Sequence, residues 1–140
     1  KNVAPAPIED AFASSQVVEQ VMVTGDGEKF IGALVVPNFE FLRDAAEREG
    51  VDIPADPEEM VTHERVVEAV QDEVDEVNER FEKHEQIKEF RLVTEEFTED
   101  NDLLTPTMKK KRRNIENRYE ALVEEIYGES DRRSQAAADD

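Results

Sequence analysis

The spacing of apolar residues constrains the fold of this chain more than any other feature of its sequence. In the middle of the chain, five apolar residues follow one another at steps of four or three: Val66, Val70, Val74, Val77 and Phe81. Such steps place side chains on one face of an α-helix. The other faces carry mostly glutamate and aspartate. The pattern predicts an amphipathic helix over Glu64–Lys83 that packs its apolar stripe on a core.

Runs of β-branched residues predict strands on either side of this helix. Val17–Thr24 and Phe30–Val36 flank the sequence Gly25-Asp26-Gly27-Glu28. That sequence favours a turn, because glycine accepts a positive φ, and the two runs therefore form a predicted hairpin. The second run is apolar almost throughout, which is typical of a buried strand. Phe90–Phe97 alternates weakly and predicts a third strand.

Three further helices complete the predicted set of elements. One begins at Pro7 and one covers Phe39–Glu49, ending at Gly50. The last has an apolar stripe at steps of four, three and four, formed by Ile115, Tyr119, Leu122 and Ile126. Together the elements predict an α+β fold, in which a small three-stranded sheet (the hairpin plus one strand) has helices packed on it.

The chain length of 140 residues corresponds to one domain. We expect residues 1–127 to form it and residues 128–140 to be a mobile polar tail, because apolar content falls after Gly128. The absence of cysteine excludes disulfides and thiolate metal sites. The longest apolar run, Gly32–Pro37, is too short to cross a bilayer, and the N-terminus shows no signal-peptide pattern. A cytoplasmic protein that is not integral to a membrane is therefore expected.

The charge balance is strongly acidic. There are 36 acidic and 17 basic residues, which give a formal net charge of -19, and repulsion of that size opposes compaction at low ionic strength. A disordered acidic segment does not fit the regular apolar spacings. Adaptation to a salt-rich cytoplasm does fit, because salt shortens the reach of the repulsion. The same charge argues against binding to nucleic acids or anionic membranes.

One basic run interrupts this acidic sequence. It follows Leu104-Thr105-Pro106-Thr107-Met108 and consists of Lys109, Lys110, Lys111, Arg112 and Arg113. By itself, such a run is most often a solvated cluster at the start of a helix. Cations there oppose the helix dipole, however, so helix stability does not explain them. A lysine beside proline and threonine could instead meet a phosphate or carboxylate that another domain brings.

The remaining candidates for chemistry are weaker. His63 and His84 lack a cysteine or a second histidine at ligand spacing, so both are expected to be surface residues and no metal site is expected. Gly25-Asp26-Gly27 lacks the following helix and lysine of a phosphate loop. The acidic pairs between Glu64 and Glu85 are expected to form a solvated helix face.

Three segments of the chain, in this order, resemble the AMP-forming long-chain fatty acyl-CoA ligases of the adenylate-forming superfamily. Lys1-Asn2-Val3-Ala4-Pro5-Ala6-Pro7-Ile8-Glu9 is similar to the end of the family's hinge-side core motif. The segment from Gly25 to Asn38 is similar to the hairpin that follows it, and the segment from Leu103 to Arg112 resembles the C-terminal lysine motif. The three matches extend over roughly residues 1–127.

The resemblance implies that the chain is the mobile C-terminal domain of a two-step enzyme. In this family a fatty acid first attacks the α-phosphate of ATP to give an acyl-adenylate, and coenzyme A then displaces AMP. The large N-terminal domain holds most of the ATP, magnesium and acyl sites, and the small C-terminal domain rotates between the steps. The chain alone is therefore expected to be inactive, to bind no cofactor, and to need that N-terminal domain as its partner.

The resemblance also implies roles for individual residues. Lys109 corresponds to the adenylation lysine. Many relatives have glycine where this chain has Met108, which leaves Lys110 and Lys111 as alternatives. The start of the chain resembles a loop that faces the active site during thioester formation. The residues implied in substrate binding are Lys1, Asn2, Val3, Ala4 and Arg112. The competing hypothesis is a stand-alone acidic interaction module, whose basic run binds a phosphate-bearing partner.

Overall fold

A three-stranded sheet with helices on both faces forms the body of the molecule. The computed structural model describes residues 2–128. In chain order its elements are α1 (Pro5–Asp10), β1 (Val18–Thr24), β2 (Ile31–Pro37), α2 (Phe39–Glu49), α3 (Pro57–Met60), α4 (Glu64–Asn78), a 3₁₀ turn (Lys83–Glu85), β3 (Ile87–Leu92) and α5 (Arg112–Arg118). Residues 120–128 are also mainly helical. The predicted α+β fold is confirmed.

Strand β2 lies in the centre of the sheet. It pairs with β1 in antiparallel orientation, with Val23 opposite Ala33, and with β3 in parallel orientation, with Ala33 opposite Phe90. A parallel pair needs a long crossover, which α2, α3 and α4 provide here. Every residue of β2 is buried. Coverage on both faces explains why this strand is apolar without alternation.

Side chains of β2 divide between two cores. Ala33 and Val35 belong to the core that contains α1, α2 and α4, whereas Leu34 and Val36 belong to the core under α5 and residues 120–128. The four predicted valines of α4 are at most 2% exposed. Burial of a valine side chain contributes about 1.5–3 kcal/mol. The predicted apolar stripe of α4 therefore holds the helix on the sheet.

The predicted bounds of α4 and β3 are wrong. The helix ends at Asn78 instead of Lys83, and β3 covers Ile87–Leu92 instead of Phe90–Phe97. The side chain of Asn78 donates a hydrogen bond to the carbonyl of Ile87 (2.9 Å) and accepts one from its amide (2.9 Å). This amide group fixes the first residue of β3 beside the end of α4. Such a contact between two elements cannot be predicted from the spacing of apolar residues.

The predicted last helix is interrupted. Tyr119 has φ -110° and ψ 32°, which ends α5, and helical geometry resumes at residues 120–128. Ile115 and Ile126 of the predicted stripe are fully buried, and Tyr119 and Leu122 pack against the same core. Gly128 belongs to the helical segment, and residues 129–140 of the predicted tail lie outside the described residues. None of the described helices combines the length and the apolar character needed to span a membrane.

Candidate functional site

The basic run starts in a tight hairpin. The amide of Met108 donates to the carbonyl of Thr105 (2.8 Å), and the amide of Thr105 donates to the carbonyl of Lys109 (2.8 Å). Pro106 follows Thr105, a turn position that its fixed φ suits. Thr105 and Lys109 thus close a three-residue loop, and the helix starts only at Arg112. The interpretation of the whole run as a helix start is wrong for Lys109 and Lys110.

The base of this hairpin is anchored in the second core. Leu103 and Leu104 are 2% and 4% exposed. Leu104 forms an antiparallel bridge with Lys110, and the amide of Lys111 donates to the carbonyl of Leu103 (2.9 Å). Apolar packing therefore fixes the position of the loop relative to the sheet, while residues 106–108 at the tip are exposed.

Met108 occupies the one unusual backbone position of the loop. Its φ is +66°, and its side chain is 68% exposed. Hairpins with three-residue loops commonly place a left-handed residue, usually glycine, at this point. The position where many relatives of the resembled family have glycine is thus one whose backbone conformation favours glycine. This agreement supports the register in which Lys109 follows that position.

Three of the five cations in the run contact carboxylates. Lys110 and Arg112 contact Glu9, and Lys111 contacts Asp102. Among the described residues 2–128, no carboxylate contacts the charged groups of Lys109 and Arg113. Of the three lysines that the sequence leaves open, Lys109 is therefore the one whose ammonium group is not paired within this part of the chain.

The backbone of Lys109 is held at both of its polar groups. Its amide donates to the hydroxyl oxygen of Thr105 (3.0 Å), and its carbonyl accepts from the amide of Thr105 (2.8 Å). The residue is exposed. A cation with a fixed backbone and no carboxylate partner among the described residues can meet an anion that arrives from outside the domain.

Glu9 of α1 lies at the base of the hairpin and is buried, with a side chain that is 5% exposed. The two terminal nitrogens of Arg112 donate to its two oxygens at 2.7 Å each. The amide of Val23 donates to Oε2 (2.8 Å), and Nζ of Lys110 lies 3.5 Å from Oε1. The hydrogen bond from Arg112 to Glu9 raises the pKa of the guanidinium above its ordinary value, which outweighs partial burial.

The N-terminal segment of predicted substrate-binding residues leads directly into α1. Asn2 and Ala4 are exposed, whereas Val3 packs partly on the first core. Ala4 is the N-cap residue of α1, with φ -79° and ψ 121°. Lys1 lies outside the described residues. The segment is thus joined through α1 and Glu9 to the base of the lysine hairpin.

A family model described as the AMP-binding enzyme C-terminal domain matches residues 1–131. The chain belongs to this family. Among curated relatives of this C-terminal domain, the long-chain-fatty-acid–CoA ligase FadD15 of Mycobacterium tuberculosis is 33% identical over 127 residues, which are 91% of this chain and 21% of the relative. Long-chain-fatty-acid–CoA ligase 1 of Cavia porcellus is 33% identical over 128 residues, which are 89% of this chain and 18% of the relative.

Solved structures agree with the family. The A-PCP didomain of carboxylic acid reductase from Segniliparus rugosus, in complex with AMP, has a TM-score of 0.67 at 25% identity, and the match covers 91% of this chain and 16% of that one. The A domain of the same reductase, with AMP and a co-purified carboxylic acid, has a TM-score of 0.66 at 26% identity, over 91% of this chain and 18% of that one. The C-terminal domain thus spans about a fifth of the length of the relatives that it matches.

The two histidines of the C-terminal domain, His63 and His84, make different local contacts. Nδ1 of His63 accepts from the amide of Arg65 (3.2 Å) and caps the start of α4. His84 lies close to Glu82 and Glu85, a grouping that could hold a cation. The two glutamates, however, already form a capping box around the 3₁₀ turn. Their arrangement is therefore explained by the turn itself.

Sequence reasoning missed the role of Glu9. Its neighbours Ile8 and Phe12 are buried, and a carboxylate beside an apolar helix face is a weak signal that it has a buried partner. That partner, Arg112, lies 103 positions away. No spacing rule connects two residues at that separation.

Proposed function

We propose that this domain is the C-terminal part of a long-chain fatty acid–CoA ligase and that it supplies Lys109 to the adenylation step. The remainder of the same enzyme provides the N-terminal adenylation domain, and the substrates are a fatty acid, ATP and coenzyme A. Family membership and similarity to ligases named for long-chain fatty acids support the assignment. The observation that carries it is the ammonium of Lys109, which contacts no carboxylate among residues 2–128 and stands on a fixed hairpin.

Adenylation brings two anions together. An oxygen of the fatty carboxylate attacks the α-phosphorus of ATP, the bond to the β-phosphate breaks, and pyrophosphate leaves. An ammonium group placed between carboxylate and phosphate lowers their repulsion and stabilises the charge of the transition state. The exposed side chain of Lys109 has the reach and charge for this contact, and the hydrogen bonds to Thr105 fix its origin.

The described residues around Lys109 do not fit a magnesium ion. Mg²⁺ binds oxygen ligands, above all carboxylates and phosphates, whereas the hairpin offers cations and threonine hydroxyls. The nearby carboxylates of Glu9 and Asp102 are engaged by Lys110, Lys111 and Arg112. We therefore assign magnesium to the N-terminal domain and attribute no step of this domain to it.

Thioester formation uses another surface of the domain. After rotation, the thiol sulfur of coenzyme A attacks the acyl carbon and AMP leaves. We place Lys1, Asn2, Val3 and Ala4 near the substrates in this step, and Arg112 remains a predicted substrate-binding residue. Because each step needs groups of the N-terminal domain, the 140-residue chain alone makes no acyl-CoA. The alternative of a stand-alone phosphate-binding module is less well supported, since three of its five cations pair within the domain.

The test measures the two half-reactions separately in the full-length ligase. Lys109→Ala is expected to lower pyrophosphate release from ATP and fatty acid by about 10²–10³-fold, the usual cost of one well-placed charged donor. It should largely spare acyl-CoA formation from a supplied acyl-adenylate, because Lys109 has turned away from the site by then.

Lys111→Ala is the matched control for this test. It removes a lysine two residues away that pairs with Asp102, and both half-reactions should remain close to those of the unmodified enzyme. Equal losses in both half-reactions for Lys109→Ala would contradict domain rotation. A larger adenylation loss for Lys111→Ala would show that the register is wrong.

A further inference from the structure

We propose that Glu9 is a positioning residue that aligns the lysine hairpin with α1, so that only Lys109 of the neighbouring lysines reaches the substrates. This inference rests on the proposed function of Lys109. Glu9 touches no substrate in this scheme, because its side chain is 5% exposed. It acts through Arg112 and Lys110 at the base of the hairpin.

A buried carboxylate is costly unless its oxygens are fully paired. Both oxygens of Glu9 are paired: Oε1 with Arg112 and Lys110, and Oε2 with Arg112 and the amide of Val23. The planar fork of arginine fits a carboxylate in one orientation. The contact therefore fixes distance and angle between three elements: α1, β1 and the start of α5.

The same contact separates the roles of two adjacent lysines. Lys110 is in an extended bridge with Leu104, and neighbouring side chains of an extended segment point to opposite faces. The ammonium of Lys110 is held 3.5 Å from Glu9 Oε1, whereas Lys109 is exposed. Glu9 thus binds the ammonium of Lys110 at the base of the hairpin, and the ammonium of Lys109 is left to contact the substrates.

Glu9 also connects the surfaces assigned to the two half-reactions. It is five residues beyond Ala4 in α1, and the segment Asn2–Ala4 is proposed to face the active site in thioester formation. A change at Glu9 should therefore affect both steps, unlike a change at Lys109. Displacing a reacting group by about 1 Å can cost roughly 10²-fold in rate.

The experiment uses the full-length ligase with Glu9→Gln, Arg112→Gln and the double variant. Each single variant should lower kcat for adenylation by roughly 10- to 100-fold and thioester formation by a smaller factor. KM for ATP and for coenzyme A should change little, because in this scheme both side chains act through the hairpin, and Arg112 does not have the substrate-binding role predicted for it by the resemblance. The double variant should be no slower than the slower single variant, because both substitutions break the same contact.

Arg118→Gln is the matched control. It removes another arginine of α5, which pairs with Glu95 at 2.8 Å on the surface, and kcat should stay within about twofold of the unmodified enzyme. If Glu9→Gln does not fold, Arg112→Ala replaces it, with methylguanidinium added to the assay. Arg112 is 37% exposed, so the added cation can enter and should restore part of kcat.

Three results would overturn the proposal. The first is a lowered melting temperature of Glu9→Gln with unchanged kcat per folded enzyme, which would indicate a purely structural role. The second is a multiplicative loss in the double variant. The third is a raised KM for ATP or coenzyme A in Arg112→Gln with unchanged kcat, which would make Arg112 a substrate-binding residue. Lys109→Ala is assayed in parallel to test the proposed function separately. If the proposed function fails, the Lys109→Ala enzyme will still carry out adenylation at the rate of the unmodified enzyme.

Discussion

Met108 shows how one backbone angle connects the sequence of the hairpin to its chemistry. A left-handed conformation costs a residue with a side chain about 1–2 kcal/mol. The closing hydrogen bonds between Thr105 and Lys109 depend on that conformation. The chain therefore keeps the geometry of a glycine-containing loop at some cost in stability, and Lys109 keeps its position at the edge of the turn.

Met108→Gly should stabilise the chain. Glycine removes the free-energy cost of the left-handed conformation. Its greater backbone entropy in the unfolded state costs roughly 0.5–1 kcal/mol, which is smaller than that gain. The expected gain is up to about 1 kcal/mol in urea unfolding. Met108→Ala is the matched control, because it removes the exposed side chain but keeps the backbone cost, and it should leave stability nearly unchanged. A loss of stability in Met108→Gly would mean that the methionine side chain contributes more than its backbone costs.

Strand β2 and the helical segment of residues 120–128 approach each other closely at Gly32. A Cβ atom added to Gly32 would lie 2.9 Å from Cγ2 of Ile126 and 3.2 Å from the hydroxyl oxygen of Tyr127. That hydroxyl shares a hydrogen bond of 2.8 Å with Thr24 Oγ1, and burial raises the pKa of Tyr127 above its ordinary value. The last helical segment thus lies directly on the sheet because β2 has no side chain at this point.

Gly32→Ala should destabilise the chain by about 1–3 kcal/mol, the usual cost of overpacking a core. The added methyl group must displace Ile126 or Tyr127, which cover the second core. Gly128→Ala is the control, because a Cβ there meets no atom within 4 Å. Urea unfolding of both variants measures the difference. Equal stabilities would show that the helical segment shifts without cost.

The whole chain carries a formal net charge of -19, which creates repulsion between its acidic side chains. On the solvent face of α4, four exposed carboxylates follow one another at steps of four: Glu64, Glu68, Asp72 and Glu76. Like charges at this spacing destabilise a helix by about 0.2–0.5 kcal/mol per pair. Salt screens such repulsion and should therefore stabilise the folded chain. Adaptation to a salt-rich cytoplasm therefore stays a prediction with a direct test.

Thermal stability should rise as sodium chloride increases from about 0.01 M to 1 M, because the Debye length falls from about 30 Å to about 3 Å. General salting-out also stabilises proteins, so a variant is needed as control. Glu68→Gln with Asp72→Asn removes two of the α4 carboxylates and should melt at a higher temperature at low salt, with a smaller rise on addition of salt. A melting temperature that does not increase with salt would argue against salt adaptation.

The sequence by itself determined the features that depend on local spacing. The stripe of α4, the buried run of β2 and the bounds of α2 all follow from periodicity and from the glycine at residue 50. Each of these elements is fixed by which face it buries, and that information lies within a few turns of the chain. The lysine motif is also continuous in sequence, but the sequence left Lys110 and Lys111 as alternatives to Lys109.

Only the tertiary structure decided which polar and charged groups meet. The side chain of Asn78 is hydrogen-bonded to the backbone of Ile87 across a turn. This contact explains why β3 starts at Ile87 and not at the predicted Phe90. Glu9 meets Arg112 across 103 positions, so the arginine predicted to bind substrate also pairs with a buried carboxylate. Within the described part of the chain, Lys110 and Lys111 contact carboxylates and Lys109 contacts none. Periodicity tells which side of an element is buried, but ion pairs depend on how the elements pack, and packing brings together residues with no fixed spacing.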